Sequence, residues 1–316
     1  MYDLVAMGEA LIDFTYHSKS DGGNALFEQN PGGAPANVAV MAAGLGLDVA
    51  FIGKVGADMH GDFLRDVLSG KGVDVKGLVS ADDVFTTLAF VSLDGAERKF
   101  SFARKPGADM TISEGEVDFD IARAAKIFHF GSLTLTNEPA RTATVRAARV
   151  ARTEGALISY DPNYREALWH DTDEAVLRIR GAAQLADIIK ISDEETELLT
   201  GHADAELAAK HLLEQGALCV LVTFGADGAL AATAEGIVKK PAAPCNAVDT
   251  TGAGDVFLGS FLYRISKSGK SLAQHNLQEI GDYVEFANAA AALCCEKRGA
   301  MPAMPDLAAV ERALKG

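Results

Sequence analysis

The chain has 316 residues, enough for one large α/β domain or two ordinary ones, and is 48% hydrophobic and 23% charged. Its net charge of −15 repels phosphate backbones and argues against nucleic acid as a partner. A nucleotide site survives that charge, because it needs only local donors and a metal. No apolar run has the length to cross a bilayer, and Met1–Gly8 lacks the basic and apolar regions of a signal segment, so no membrane role and a cytoplasmic location are expected. The four cysteines, at 219, 245, 294 and 295, lack zinc-site spacing and are read as small buried apolar residues.

In chain order, Leu4–Met7 predicts a short buried strand, followed by Gly8-Glu-Ala-Leu-Ile-Asp-Phe14. Asp13, an acid just beyond that strand, suits a turn or cap as well as a ligand. Phe14 to Asn30 is polar and extended in character. Asn30-Pro-Gly-Gly-Ala-Pro-Ala-Asn37 is a turn leading into a small-residue helix from Ala36 to Leu45, with Asn37 in its first turn as either a cap or a hydroxyl ligand. Val49–Ile52, Lys126–Phe130, Leu157–Tyr160, Ile188–Ile191 and Cys219–Thr223 predict further strands. Helices are expected over residues 61–69, 138–154, 172–184, 194–199 and 205–214. Strand then helix, repeated, predicts an α/β protein with a mostly parallel sheet covered on both faces, and ligands on such sheets gather at the carboxyl ends of the strands.

Val84 to Lys105 breaks that rhythm. Thr86–Leu93, an Asp94-Gly95 turn and Arg98–Phe102 predict a hairpin with Phe100 and Phe102 on one face. With the extended segment before it, this forms a small β-sheet that could cover a site or meet another subunit.

The strongest local signal is Ala247-Val-Asp-Thr-Thr-Gly-Ala-Gly-Asp-Val-Phe257, a glycine turn opening an apolar helix. Free N–H groups at a helix start bind anions, and glycines let the anion approach. Asp255 is out of place in a pure anion site. It is either an N-cap or a base that takes a proton from a hydroxyl beside a phosphate. The phosphate loop G-x-x-x-x-G-K-[ST], a G-x-G-x-x-G after the first strand and the protein-kinase signatures are all absent from the sequence.

Gly-Gly-Ala-Pro-Ala-Asn-Val-Ala near the start and Asp-Thr-Thr-Gly-Ala-Gly-Asp near the end together resemble the two signatures of the ribokinase-like (PfkB) family of carbohydrate kinases. The resemblance implies a three-layer α/β/α fold with a small β-sheet lid, in one kinase domain spanning 1–316 with lid segments near 14–31 and 84–105. It implies that Asp255 is the general base and that the N–H groups of Gly252, Ala253, Gly254 and Asp255 form an anion hole. Asp13, Gly32, Gly33, Asn37, Phe102 and Arg104 are implied at the sugar. Lys190, Thr223, Gly225, Gly228 and Asn288 are implied at ATP. Glu195, in Ser192-Asp-Glu-Glu195, would orient water around Mg²⁺, and Asp249 and Thr251 stand where several relatives hold K⁺. Ser192 departs from the Asn of many relatives and is given no role.

Gly8–Phe14, Arg104-Lys-Pro-Gly-Ala-Asp109 and Asp161-Pro-Asn-Tyr-Arg165 look most like the fructokinase branch, which puts Arg165 near the phosphates; a surface ion pair is its alternative. The resemblance thus implies transfer from ATP to D-fructose. The alternatives are 2-keto-3-deoxygluconate, ribose, another small sugar or a nucleoside as acceptor, or a non-catalytic sugar sensor. The lid is also the expected surface for a homodimer.

Overall fold

The computed structural model describes residues 1–94 and 97–315, and side chains throughout those except at 92–100. The strands are β1 (Tyr2–Met7), β2 (Leu11–Lys19), β3 (Ala25–Gly32), β4 (Val49–Gly56), β5 (Val73–Ala81), β6 (Leu88–Asp94), β7 (Glu97–Ala103), β8 (Ala125–Gly131), β9 (Leu157–Asp161), β10 (Ile188–Ser192), β11 (Cys219–Thr223), β12 (Ala229–Thr233) and β13 (Gly236–Lys240). The helices are α1 (Ala34–Gly44), α2 (Met59–Gly70), α3 (Phe119–Arg123), α4 (Ala140–Thr153), α5 (Thr172–Ala183), α6 (Thr196–Thr200), α7 (Ala205–Glu214), α8 (Ala253–Ser268), α9 (Leu277–Cys295) and α10 (Leu307–Ala313).

Nine strands form one sheet in the order β13-β12-β11-β10-β9-β8-β1-β4-β5. Its pairs from β11 to β5 run parallel, whereas β12 and β13 are antiparallel at the edge. Alternation along each strand divides the core. Leu4, Ala6, Phe51, Ile127 and Leu221 face one way and pack with α1, α2, α8, α9 and α10. Val5, Met7, Ile52, Phe128, Phe130 and Val222 face the other and pack with α3, α4, α5 and α7. The result is a three-layer α/β/α architecture, as the strand–helix rhythm predicts.

A second, four-stranded sheet has the order β3-β2-β6-β7. Only Gly8, Glu9 and Ala10 separate β1 from β2, so the small sheet rises directly from the carboxyl end of a central strand. Asp94 pairs with Glu97 across the hairpin of β6 and β7. The expected Asp94-Gly95 turn and the side chain of Phe100 lie outside the described residues.

The sheet's mostly parallel body matches expectation, while β5, β12 and β13 lie outside the expected strands, although Val73-Asp-Val-Lys76 of β5 alternates apolar and polar residues. Cys219, Cys294 and Cys295 are buried as expected; Cys245 is exposed, because it lies in the irregular segment between β13 and α8.

Candidate active site

The carboxyl ends of β1, β9, β10 and β11 and the underside of the small sheet enclose a cavity of about 840 Å³. One end is built where α1 meets α8. Gly259 brings them together: a Cβ there would lie 2.9 Å from the Met41 Cβ and 3.0 Å from the Val38 carbonyl. That close approach aligns the two helix starts, and the Asn37 amide donates to the Asp255 carboxylate at 2.8 Å across 218 residues of sequence. Asn37 Oδ1 is buried with no hydrogen-bond partner among the described residues.

Gly252 takes the left-handed conformation (φ 76°) as the residue before α8, and the Val256 N–H donates to its carbonyl at 2.8 Å. The N–H groups of Gly254 and Asp255 therefore precede the first helical donor and face the cavity end of the helix. The Ala253 N–H donates to the Thr250 carbonyl at 3.2 Å. Lys190, on β10, reaches this helix start from the side. A Cβ at Gly254 would meet the Lys190 ammonium at 2.9 Å, and the same ammonium pairs with Asp161 at 3.0 Å.

Burial pushes the Asp255 carboxyl up to about 7, with the Asp161 charge adding to it; Asn37, Lys190 and Arg165 pull in the opposite direction. Lys190 is held above its ordinary value: burial opposes its charge, but Asp161, Glu195 and Asp255 outweigh that. Burial also lifts Asp13 to about 6, against the pull of Arg165. Asp13 hangs from β2 opposite Asn30 of β3, and Gly32 leaves it room, since a Cβ there would meet its Oδ2 at 2.2 Å. Gly33 has φ 107°, and a Cβ would lie 2.3 Å from the Glu9 carbonyl oxygen. Gly33→Ala is expected to cost about 1–3 kcal/mol from the strained backbone alone, with a further loss from displacing Glu9; chemical denaturation and the acceptor KM would report both.

The cavity gathers Asp255, Gly252, Ala253, Gly254, Arg165, Asp13, Gly33, Asn37, Phe102, Lys190, Thr223, Gly225, Glu195, Asp249 and Thr251, all expected from the sequence. Arg165 is exposed at the mouth, where Nη1 donates to the Tyr164 carbonyl at 2.9 Å. Glu195 Oε1 accepts from the Tyr164 N–H at 2.7 Å, and Oε2 from the Ser192 N–H at 2.8 Å. The Asp249 carboxylate accepts from the Thr251 N–H at 3.0 Å and the Gly299 N–H at 3.0 Å, closing the turn before α8.

Four expected site residues do not line the cavity. Gly32 acts through the space it leaves for Asp13. Arg104 is turned inward: its guanidinium pairs with Asp109 at 2.7 Å and donates to Thr136 Oγ1 at 3.1 Å and the Leu133 carbonyl at 2.9 Å. It braces the root of the small sheet instead of reaching a sugar. Arg104→Met should destabilise the fold by about 3–5 kcal/mol, because it strands the buried Asp109 charge; a shift of the urea midpoint measures this. Gly228 (φ 102°) makes room for the Lys240 carbonyl, which a Cβ would approach to 2.2 Å. The Asn288 amide donates to the Pro241 carbonyl at 2.9 Å and ties α9 to the end of β13.

Sequence reasoning missed Glu9 and assigned no role to Asp161. An apolar strand ending in an acid beside one containing a lysine was the available signal for Asp161.

A buried carboxyl tuned near neutrality, set at an anion-binding helix start beside a lysine, suits an enzyme that moves a phosphoryl group onto a hydroxyl. The chain belongs to the pfkB family of carbohydrate kinases, which it matches over residues 1–307. It is 41% identical to "Fructokinase-2" of Oryza sativa subsp. japonica over 314 residues, covering 98% of this chain and 92% of that one. Among solved structures, it is similar to the fructokinase of Xylella fastidiosa with bound ATP (TM-score 0.92, 35% identity, 99% of this chain and 98% of that one). It is also similar to a double-mutant fructokinase of Vibrio cholerae O395 in fructose-, ADP- and potassium-ion-bound form (TM-score 0.88, 34% identity, 98% and 97%).

Proposed function

We propose that this carbohydrate kinase transfers the γ-phosphoryl group of ATP to the 6-hydroxyl of D-fructose. The observation that carries the chemistry is Asp255: buried, inside the cavity, bonded to Asn37 and poised near pH 7 at the start of α8. The relatives named fructokinase carry the choice of acceptor.

The sugar lies between Asp13, Gly33 and Asn37, with Phe102 reaching in from the small sheet. Asp255 takes the proton of the attacking hydroxyl as its oxygen bonds to the γ-phosphorus and the bond to ADP breaks. The N–H groups at the start of α8, Lys190 and Arg165 meet the charge on the transferred group. Thr223 and Gly225 hold the nucleotide side of the cavity. The chain works as one kinase domain whose segments 14–31 and 84–105 close over the sugar, excluding the water that would otherwise hydrolyse ATP.

Glu195 already uses three of a carboxylate's roughly four acceptor positions, on Tyr164 and Ser192. The remaining capacity suits a water of Mg²⁺, a cation that brings its own waters and phosphate ligands and neutralises phosphate charge when bound. K⁺ is proposed at the Asp249–Thr251 turn on the strength of the potassium-bound Vibrio relative. Leu26, Phe27 and Phe90 are exposed on the small sheet, and a second copy of the chain is the proposed partner there. Among the described residues no helix is long and apolar enough to cross a membrane, and the cytoplasm is the proposed location.

An ADP-release assay over fructose, ribose, 2-keto-3-deoxygluconate and nucleosides tests the acceptor. A kcat/KM highest for fructose is expected; no preference for it would defeat the fructose assignment. Light scattering after gel filtration would show a dimer if the small sheet pairs.

A further inference from the structure

Glu9 occupies the short link between β1 and β2 and is only 2% exposed. Its side chain is held at one oxygen and unpartnered at the other. Oε1 accepts the Ala34 N–H at 2.8 Å, which fixes the carboxyl against the first turn of α1. Oε2 is buried with no hydrogen-bond partner among the described residues, and Glu9 lines the cavity. Leu11, Asp13, Gly33 and Asn37 line it too, so Glu9 belongs to the acceptor end.

A buried carboxyl oxygen without a partner is costly, and a bound polar group removes that cost. The Ala34 bond holds the carboxyl, and the backbone beneath it is fixed as well. The Glu9 carbonyl is packed under Gly33, where even a Cβ would come within 2.3 Å. The charged groups facing it are Asp109 and Arg104, which act on it oppositely, and the backbone N–H donors are its own and that of Ala34. Burial pushes the carboxyl up to about 8 against those donors. Either protonation state serves a hydroxyl, which can donate to a carboxylate or accept from a carboxylic acid.

We propose that Glu9 is a further acceptor-binding residue, its Oε2 taking a hydroxyl of the bound sugar other than the one that is phosphorylated. Asn37 Oδ1 is likewise buried without a partner among the described residues, and Asn37 lines the same end of the cavity, so that two unpartnered acceptors lie behind one part of its wall. The inference rests on the reading of this cavity as a sugar kinase site. A site built to hold a hydroxyl discriminates strongly against a ligand lacking it. Glu9 therefore contributes to acceptor choice and not to the transfer step.

The experiment compares wild type, Glu9→Gln and Glu9→Leu with fructose, a series of monodeoxyfructoses and ATP. Gln keeps both an acceptor for Ala34 and a polar group at the Oε2 position; Leu removes both. Glu9→Leu is expected to raise the fructose KM at least tenfold while the ATP KM changes less than twofold. Glu9→Gln should stay within about threefold of wild type, in line with one retained hydrogen bond. One deoxyfructose should lose at least tenfold in kcat/KM with wild type and show no further loss with Glu9→Leu. The proposal is overturned if every deoxy penalty persists in Glu9→Leu, or if its two KM values rise together with a fall in melting temperature, the pattern of a helix cap alone. Should Glu9→Leu fail to fold, Glu9→Met takes its place, and a fructose KM and deoxy penalties identical to wild type in that variant would overturn the proposal as well. Wild type inactive on every sugar would overturn the kinase reading itself, a result distinct from either.

Discussion

Asp255→Asn is expected to lower kcat by roughly 10²–10⁴-fold, the range for removing a general base, with nucleotide affinity unchanged. The amide matches the carboxylate in shape and can still accept the 2.8 Å bond from Asn37. It cannot take the proton. Stability should not fall, because burial already disfavours the charged carboxyl at this position. In wild type, kcat should rise with pH through about 7 and level off above it, since only the deprotonated base works. In Asp255→Asn that limb disappears. Asn37→Ala removes a bond that favours the charged form, so its midpoint should move above that of wild type. Stopped-time ADP-release assays from pH 5.5 to 9 measure all three enzymes.

Lys190→Met should lower kcat by roughly 10²–10³-fold, as for loss of one donor aimed at transition-state charge. It should also destabilise the fold by about 3–5 kcal/mol, by leaving a buried carboxylate unpaired. Asp161 is that carboxylate, 1% exposed and 3.0 Å from the ammonium. The two consequences separate in a double variant. Lys190→Met with Asp161→Asn should recover most of the stability and little of the activity. Recovery of both would reduce Lys190 to a partner for Asp161. Urea unfolding and steady-state kinetics on the same preparations decide the matter.

The pairing of Lys190 with Asp161 shows where the sequence was informative. A lysine inside Ile188-Ile-Lys-Ile191 requires a buried counter-charge. The parallel register sets Ile189 beside Tyr160, so Lys190 and Asp161 come next on adjacent strands. Buried parallel strands leave continuous apolar runs, and amphipathic helices leave a period, so the central sheet and its covering helices were legible. The edge was not. Ala229-Leu-Ala-Ala-Thr233 has small residues without alternation, and its pairing with β11 depends on the turn at Gly228; Gly236-Ile-Val-Lys-Lys240 is half exposed and pairs only with β12.

At the site, glycine motifs announced the two helix starts, but not that Gly259 would bring them into contact. Arg104 and Asn288 show the opposite failure. Arg104 stands in a suggestive motif and Asn288 on a helix that the resemblance puts at the nucleotide, yet a buried counter-ion draws Arg104 inward and backbone carbonyls claim Asn288. Such competition is decided by three-dimensional neighbours that the linear sequence does not display. Glu9 was silent for the same reason: between Gly8 and Ala10 it reads as a turn residue until α1 closes over it.

The most direct measurement is turnover of fructose with ATP and Mg²⁺ by wild type and Asp255→Asn, prepared and assayed side by side by ADP release. Fructose-dependent ADP release by wild type and at most about one hundredth of that rate in the variant are predicted. Turnover of Asp255→Asn at the wild-type rate would contradict Asp255 as the base, whichever sugar is the acceptor.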